Sequence, residues 1–431
     1  MELIPTINYT WKLCVIASLF GCLSIFLFLT ENYQDLTLFI AGSSVVEFKQ
    51  FDVANTPKKT IVSEPENPNL LLFSSNNPPS IANMIKKPKS TQEKKCNMFD
   101  GRWVYKPDQK PYYDTNTCPF IEEKMNCQQN GRLDFEYEKW RWEAKDCEIP
   151  LFNGRDMLEK LRNKRLIMVG DSLNRNMWES LACLLYTSVP SSTVDIDANG
   201  SDYKVFKAKE YNTVIEFYWS PFLIEFDKNH NSGKNVLVLD KISPNSEQWQ
   251  GADIMVFNSG HWYTHTRKLK AWELFQYKGK LSETMAVDLA YDRAMKTWAK
   301  WIETNVNPKK TKVIFRSISG QHTSEPWCYN YTQPFKDDSF ENAFPKSLIN
   351  IIESLIEGMS KVQVKYLNIT KLTDYRIDAH SSVYWSNSTW KMVAIKSKQY
   401  LSSYADCIHW CLPGLPDTWN ELLYATLFFD I

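Results

Sequence analysis

Acyl chemistry is suggested first by a serine that follows an apolar run. Ser172 stands in Gly170-Asp171-Ser172, directly after Leu166 to Val169. A serine at the N-terminal end of a helix can attack a carbonyl carbon, and the nearby backbone N–H groups can stabilise the oxyanion that forms. A helix N-cap also favours Asp and Ser, without any catalysis. The nucleophile hypothesis therefore requires a base.

The candidate base lies near the carboxyl terminus, where Asp406 precedes His409 by three residues. The carboxylate can bond one imidazole nitrogen, fix the tautomer and leave the other nitrogen facing the serine. Cys407 and Cys411 flank the histidine and can pin its loop. The alternative is a disulfide-bonded surface loop with an incidental histidine.

A third component is Asn258, which follows the apolar run Ile254 to Phe257. Its side-chain amide can donate to an oxyanion together with the backbone N–H of Ser172. The order serine, asparagine, Asp-x-x-His is much less probable by chance than any one of these motifs.

Short β-branched runs alternate with helical stretches after Pro150, which predicts a largely parallel sheet covered by helices on both faces. Function is expected at the carboxyl ends of its strands, where the loops open into a crevice. The predicted elements, with a variable loop after the first helix, are strand Leu166 to Val169, a helix near Asn174 to Leu185, strand Ile254 to Phe257, a helix near Glu283 to Ile302, strand Val313 to Arg316, helix Ser347 to Met359 and strand Val362 to Leu367.

The amino-terminal part predicts a membrane anchor and a spacer. Trp11 to Thr30 is apolar and long enough to cross a bilayer as a helix, and its length argues against a cleavable signal peptide. Lys12 is the cation on the short amino side, which favours a cytosolic tail at 1–10 and a type II orientation. Residues 31–95 are rich in Asn, Pro, Ser and Lys and are expected to form a flexible luminal stem.

Cysteines and sequons agree with a luminal location. Beyond the anchor the chain has an even set of eight cysteines without repeated CxxC pairs, which favours disulfides over a zinc site. The dense cysteines of 96–148 predict a small disulfide-stapled lobe before a catalytic domain at 149–431. The predicted glycosylation sites are Asn199, Asn330, Asn368 and Asn387.

Charge and motifs exclude several function classes. Lys plus Arg and Asp plus Glu are 50 each, so no overall field attracts nucleic acid or anionic lipid. The sequence has no glycine-rich phosphate loop and no cluster of metal-ligand motifs. Neither a metal nor a tightly bound cofactor is therefore expected.

Longer segments around these motifs resemble one family, the plant trichome birefringence-like proteins, whose PC-esterase-type domain has an SGNH or GDSL-like fold. The similarity covers the chain from about Cys96 to its end. The matching segments are CPF at 118–120, RWEAKDCEIPLFNG at 141–154, VGDSLNRNMWESLACLL at 169–185, FNSGHW at 257–262, KTWAKWI at 296–302, YLNITKLTDYRIDAH at 366–380 and ADCIHWCLPGLPDTWNELLY at 405–424.

The resemblance implies an α/β fold with a minor lobe, and a triad of Ser172, Asp406 and His409. It further implies a Golgi O-acetyltransferase acting on a plant cell-wall polysaccharide, with acetyl-CoA or a derived acetyl carrier as donor and membrane proteins as possible acetyl suppliers. The implied disulfides are Cys96 with Cys147, Cys118 with Cys183, Cys127 with Cys411, and Cys328 with Cys407.

Some assignments stay open at this point. Xylan is the first acceptor to consider, with mannan, xyloglucan and pectin as alternatives. The same triad would also serve an acetyl esterase. A non-catalytic wall-binding protein, with Trp140, Trp262 and Trp385 as stacking surfaces, is the alternative of another class.

Several polar residues lie near the expected site. Arg175, His261 and Trp262 are candidate substrate contacts because they adjoin the two loops. Asp378 and His380 imitate an acid and base pair but lie outside the Asp-x-x-His pattern. The segment around His322 departs from the family's usual form, and His230, His265 and His322 have no assigned role.

Overall fold

The computed structural model describes residues 96–198, 200–266, 269–323, 327–336, 344–386 and 404–429. The predicted tail, membrane span and stem, and the sequons at Asn199 and Asn387, lie outside these residues. Within the described ranges no helix has both the length and the apolar character that crossing a membrane requires.

Strands and helices alternate along most of the described chain. The strands are β1 Gly101–Tyr105, β2 Trp140–Ala144, β3 Arg165–Gly170, β4 Val194–Asp197, β5 Tyr203–Ala208, β6 Thr213–Trp219, β7 Ile224–Asp227, β8 Val236–Ile242, β9 Ile254–Phe257, β10 Leu274–Tyr277, β11 Lys280–Ser282, β12 Lys312–Arg316, β13 Val364–Leu367, β14 His380–Ser382 and β15 Asp406–Trp410. The α-helices are α1 Gly154–Lys160, α2 Ser172–Tyr186, α3 Ser246–Trp249, α4 Val287–Asn305, α5 Lys346–Gly358, α6 Thr370–Asp374 and α7 Leu415–Phe428. The 3-10 turns are Glu123–Met125, Glu136–Lys139, Ser191–Thr193, Lys209–Tyr211, His261–Thr264, Ile377–Ala379 and Val383–Trp385.

The main sheet has the strand order β13-β12-β9-β3-β6-β5-β4. The five strands from β13 to β6 are parallel to their neighbours, whereas β5 and β4 continue the sheet in antiparallel pairs. The protein is thus α/β, as the sequence predicts, with a mixed sheet. The four predicted strands are β3, β9, β12 and β13, each within two residues of its expected bounds.

The prediction of a variable loop between α2 and β9 is wrong. This part of the chain contains β4 to β8, and β7 and β8 form a second sheet with β10 and β11 in the order β11-β10-β8-β7. In β5 the burial alternates, with Phe206 and Ala208 buried and Lys207 between them exposed, whereas β6 is buried on both faces from Ile215 to Tyr218. Apolar residues that are separated by polar ones give no continuous apolar run, so a search for fully buried strands does not predict these elements.

The central strand β3 is buried on both faces, which explains why its apolar run has no polar interruption. Leu166 and Met168 face a core that includes residues of α2 and α7, whereas Ile167 and Val169 face a core that includes residues of α4 and α5. Successive side chains of a strand point to opposite faces, so a strand covered on both sides must be apolar throughout.

Residues before Pro150 form a hairpin-like pair, β1 with β2, in which Trp103 lies opposite Trp142. The two indoles make an edge contact with their centroids 5.6 Å apart. Trp142 and Tyr113 belong to the same core as α2 and α7. The structure also contains the four cysteine pairs that the resemblance implies, Cys96–Cys147, Cys118–Cys183, Cys127–Cys411 and Cys328–Cys407.

Candidate active site

The turn between β3 and α2 presents Ser172 at the first position of a helix. Asp171 is the N-cap, and its Oδ1 accepts a hydrogen bond from the N–H of Leu173 at 3.0 Å. Gly170 is required by a close approach, because a Cβ at this position would lie 1.8 Å from Asn258 Oδ1. The strand therefore delivers the serine to the sheet's carboxyl edge, beside the end of β9.

Ser172, His409 and Asp406 form a continuous hydrogen-bonded chain. The Nε2 of His409 lies 2.7 Å from Ser172 Oγ, and its Nδ1 lies 2.7 Å from Asp406 Oδ2. An ionised carboxylate only accepts, so Nδ1 carries the hydrogen and Nε2 is left to accept the serine proton. The side chains of His409 and Asp406 are 18% and 21% exposed, so a substrate can reach them from solvent.

The second oxygen of Asp406 bonds to the backbone of the same strand. Its Oδ1 accepts from the N–H groups of Ile408 and His409, at 3.1 and 3.0 Å. Burial would raise the pKa of Asp406, but the adjacent His409 and these hydrogen bonds lower that pKa below its usual value. The group is therefore held as a carboxylate, the form that can orient a neutral imidazole.

Strand β15 carries both Asp406 and His409 and is fixed from several sides. It pairs with β14, and Cys407 within it is bonded to Cys328. The backbone N–H of Trp410 donates to Asn176 of α2 at 3.0 Å. Ser172 and His409, which are distant in sequence, are thereby held within the distance that proton transfer requires.

Asn258 is bound to the loop that carries the nucleophile. Its Nδ2 donates to Asp171 Oδ1 at 2.8 Å, and its Oδ1 accepts from the Asp171 N–H at 3.2 Å. A side-chain amide has two hydrogens, so one remains after the bond to Asp171. The backbone N–H of Ser172 precedes the first intrahelical bond. These two groups are the candidate oxyanion donors.

Titratable groups are buried near the loop that carries Ser172. His261 is 5% exposed, its Nε2 bonds to the carbonyl of Ser319 at 3.1 Å, and its Nδ1 lies 4.0 Å from Asp171 Oδ2. Burial lowers the pKa of His261 to about 4, against the attraction of Asp171. Burial likewise lowers the pKa of Arg316 to about 10. His261 is thus a neutral ring that supports the loop from inside, rather than a side chain open to substrate.

Arg175 and Trp262, the other candidate substrate contacts, lie on either side of an aromatic residue that the sequence did not single out. Trp219 ends β6 opposite Gly170, and its ring is 5.3 Å from that of Trp262. The Arg175 guanidinium lies 5.5 Å from the Trp219 ring and pairs with Glu122 at 3.4 Å. Trp219 and Trp262 are partly exposed. Trp219 is identified only by the sheet, because the pairing of β6 with β3 places this aromatic residue opposite Gly170.

Asp378 and His380 do not pair with each other. Asp378 forms a buried ion pair with Arg376 at 2.9 Å, and His380 contacts His322 and the backbone of His409. Neither reaches Ser172.

Two of the four predicted glycosylation sites lie within the described residues. Of the two sequons that the structure describes, Asn330 is exposed and Asn368 is half-buried. Among the described residues no group of three or more His, Cys, Asp or Glu side chains is arranged to hold a metal ion.

Comparison with known proteins gives two family matches. Residues 149–426 match the PC-Esterase family, described as a GDSL/SGNH-like acyl-esterase family found in Pmr5 and Cas1p. Residues 94–148 match the PMR5 N-terminal domain.

Similar plant proteins cover most of the chain. "Protein trichome birefringence" of Arabidopsis thaliana is 43% identical over 78% of this chain, which spans 57% of that protein's length. "Probable xylan O-acetyltransferase 10" of Oryza sativa subsp. japonica is 40% identical, with 78% of each chain covered. With the strand-to-helix serine loop, the Asp-x-x-His strand and these matches together, the chain belongs to the PC-esterase family of GDSL/SGNH-like proteins, among the relatives of the trichome birefringence-like proteins.

Proposed function

We propose that this protein transfers acetyl groups to hydroxyl groups of a plant cell-wall polysaccharide, xylan being the first acceptor to test, through an acetyl-serine at Ser172. The observation that carries the proposal is the chain from Asp406 through His409 to Ser172 Oγ, with both hydrogen bonds at 2.7 Å. Relatives named as xylan O-acetyltransferases support the acetyl group and the acceptor class.

The first half-reaction acylates the serine. His409 Nε2 takes the proton of Ser172 as Oγ forms a bond to the acetyl carbonyl carbon. The Ser172 N–H and the amide of Asn258 stabilise the oxyanion. When the bond between the acetyl carbon and the donor breaks, His409 returns the proton to the leaving group. The donor is proposed to be acetyl-CoA or an acetyl carrier derived from it.

The second half-reaction uses His409 again as base. It takes the proton of a sugar hydroxyl, whose oxygen attacks the acetyl-serine carbonyl, and then returns the proton to Ser172 Oγ as that bond breaks. The product is an O-acetylated sugar and a free serine. Water in place of the sugar hydroxyl would release acetate, so exclusion of water by a bound acceptor decides between transfer and hydrolysis.

Trp219 and Trp262 supply the proposed acceptor surface. Their rings meet nearly at right angles beside the serine loop, and each is partly exposed. An indole face offers a large apolar surface to the C–H face of a pyranose ring. Arg175, which lies over Trp219 and is tied to Glu122, holds this indole from one side.

The proposal is tested by mass spectrometry of the full-length protein incubated with an acetyl donor and, in parallel, xylan, mannan, xyloglucan and pectin oligosaccharides. The expected result is the gain of one acetyl mass on one glycan, lost in Ser172→Ala and retained in the exposed control Ser192→Ala. Loss of acetyl from acetylated glycans without any gain would assign an esterase instead. Transfer by Ser172→Ala at the wild-type rate would overturn the serine mechanism.

We also propose that Trp11 to Thr30 anchors the protein in the Golgi membrane, with residues 31–431 in the lumen. Protease protection of sealed Golgi vesicles tests this topology. Digestion of the carboxyl-terminal part without detergent would contradict it.

A further inference from the structure

Two buried histidines continue the polar chain from the backbone of His409 into the protein. His380 Nδ1 lies 3.0 Å from the carbonyl oxygen of His409, and His380 Nε2 lies 2.7 Å from His322 Nδ1. His322 Nε2 in turn lies 2.9 Å from the carbonyl oxygen of Asp374. The rings of His322 and His380 are 0% and 1% exposed. Every ring nitrogen of the pair thus faces a polar partner, yet the proposed reaction uses neither histidine.

Counting hydrogens constrains the protonation of this pair. The two terminal partners are carbonyl oxygens, which only accept, so the three contacts require three N–H groups. Two neutral imidazoles carry two N–H groups. In the neutral pair one of the three contacts therefore lacks its hydrogen, and one further proton would complete all three.

Two arrangements of the two protons keep the central bond. If both are on Nδ1, His322 donates to His380 and His380 donates to the His409 carbonyl, while His322 Nε2 turns a lone pair toward the Asp374 carbonyl. If both are on Nε2, His380 turns a lone pair toward that carbonyl. The adjacent Trp410 stacks on His380 with centroids 3.7 Å apart, and its backbone N–H is bonded to Asn176. The strand cannot retreat from His380 without breaking these contacts, whereas Asp374 is the last residue of the short helix α6. The arrangement in which His380 donates therefore places the lone-pair contact at the end of this helix and not within β15.

We propose that His380 is a positioning residue for the base His409, holding the His409 carbonyl through Nδ1–H, and that His322 secures this tautomer by donating from its own Nδ1. The inference rests on the proposed function, because it takes His409 as the base. Asp406 binds the backbone N–H of His409 while His380 binds its carbonyl. Both backbone polar groups of the base are then fixed, and the imidazole starts from a rigid main chain.

The surroundings keep the pair neutral near pH 7. Burial lowers the pKa of both imidazoles, that of His322 to about 4. A third proton therefore enters only in acid, at His322 Nε2, where it faces the Asp374 carbonyl; a fourth would place two N–H groups in contact with each other. Among the described residues, the titratable groups that act on the pair are Asp406 and His409 of β15. Arg132 donates to the His380 carbonyl, and Asp374 contacts His322 through its backbone carbonyl.

Two amide variants of His380 separate its two hydrogen bonds. In His380→Asn the side-chain amide stands near the position of Nδ1 and can still donate to the His409 carbonyl. In His380→Gln the amide reaches the position of Nε2, toward His322, and leaves that carbonyl without a donor. Both variants lose the ring that stacks on Trp410, and neither titrates. A purely structural role of the ring predicts equal effects.

The readouts are kcat, KM and the rate at which a fluorophosphonate labels Ser172, measured on the full-length protein. We expect His380→Asn to stay within about threefold of wild type and His380→Gln to lose about 10- to 100-fold in kcat and labelling, with KM unchanged, because misplacing a catalytic group by about 1 Å has effects of this order. Equal losses in both variants would overturn the positioning role.

Long-range proton–nitrogen NMR of the histidine side chains in the wild type reads the tautomer without any turnover. The expected spectrum at pH 7 has His380 and His322 protonated at Nδ1; protonation of His380 at Nε2 alone would overturn the assignment. If wild-type Ser172 is not labelled at all, the proposed function fails instead, and the spectrum still decides the tautomer.

Discussion

Asp406 holds His409 at two places with its two carboxylate oxygens. Oδ2 lies 2.7 Å from the ring Nδ1, and Oδ1 accepts from the backbone N–H of the same residue at 3.0 Å. The three-residue spacing on β15 permits both bonds at once. One carboxylate therefore orients the imidazole and the main chain that carries it.

Replacing Asp406 by Asn separates these two functions. An asparagine oxygen can still accept from the backbone N–H groups of Ile408 and His409, so the melting temperature should change little. Its amide nitrogen would face His409 Nδ1 and impose the wrong tautomer, so kcat should fall about 10⁴-fold. Steady-state kinetics and thermal unfolding measure the two effects, with the exposed Asp195→Asn as control. A loss in kcat smaller than tenfold would contradict the orienting role.

Asn258→Ala tests the oxyanion assignment. Removal of one donor should lower the rate of acyl-enzyme formation by about 10² to 10³. The variant also loses the bond to Asp171, so Asp171→Gly is the comparison, because it removes the acceptor of that bond while glycine remains a tolerated N-cap. Rapid-quench measurement of acetyl-serine should show the larger defect in Asn258→Ala. Equal defects would mean that Asn258 acts by holding Asp171 alone.

Trp219→Ala tests the acceptor surface. Without the indole, the sugar loses a stacking partner, so KM for the glycan should rise about two- to tenfold, in line with aromatic contacts of about 0.5 to 1.5 kcal/mol. Labelling of Ser172 by a fluorophosphonate should stay at the wild-type rate. Phe135→Ala, at an exposed aromatic of the amino-terminal segment, is the control. An unchanged KM for every glycan would remove Trp219 from the acceptor site.

Four strands of the main sheet, β3, β9, β12 and β13, and the serine loop were predictable from sequence because their physical requirements are local. A strand buried on both faces must be apolar throughout, as Leu166 to Val169 is. The three-residue spacing of Asp-x-x-His likewise predicts the hydrogen bond between Asp406 and His409. Trp219 was missed because it ends a strand inside a segment read as loop. Its role depends on β6 lying beside β3, which is a property of the sheet and not of the segment.

Contacts between residues that are far apart in sequence could not be predicted from local sequence patterns. Cys127 and Cys411 are 284 residues apart, and nothing in the composition selects that pair, so only the family resemblance implied it. The contact between His322 and His380 was equally unpredictable, because it depends on how β14, β15 and the segment after β12 pack together. Burial also decided the role of His261, since its position after Asn258 in sequence gives no sign that the ring points inward.

Removal of the Cys328–Cys407 disulfide should affect the site more than the fold. The double variant Cys328→Ser/Cys407→Ser is compared with Cys96→Ser/Cys147→Ser, because the two pairs close loops of similar length, 79 and 51 residues. Chain entropy then predicts similar losses in melting temperature. Labelling of Ser172 should slow only in the first variant, since Cys407 lies between Asp406 and His409. Equal labelling rates would show that the other contacts of β15 fix the strand without this disulfide.

Glu179 of α2 should make the protein less stable as the pH rises. Burial, and then the negative charge of Glu122, raises the pKa of Glu179 to about 8, whereas an unfolded glutamate titrates near about 4.3. Between these values the folded state binds one more proton than the unfolded state, so the free energy of unfolding falls as pH rises, by up to about 1.4 kcal/mol per pH unit. Glu179→Gln has no proton to retain, and its stability relative to wild type should therefore increase between pH 5 and 8. Urea unfolding across this range measures the difference, with the exposed Glu159→Gln as control. A difference that stays constant with pH would mean that Glu179 is already ionised in the folded protein.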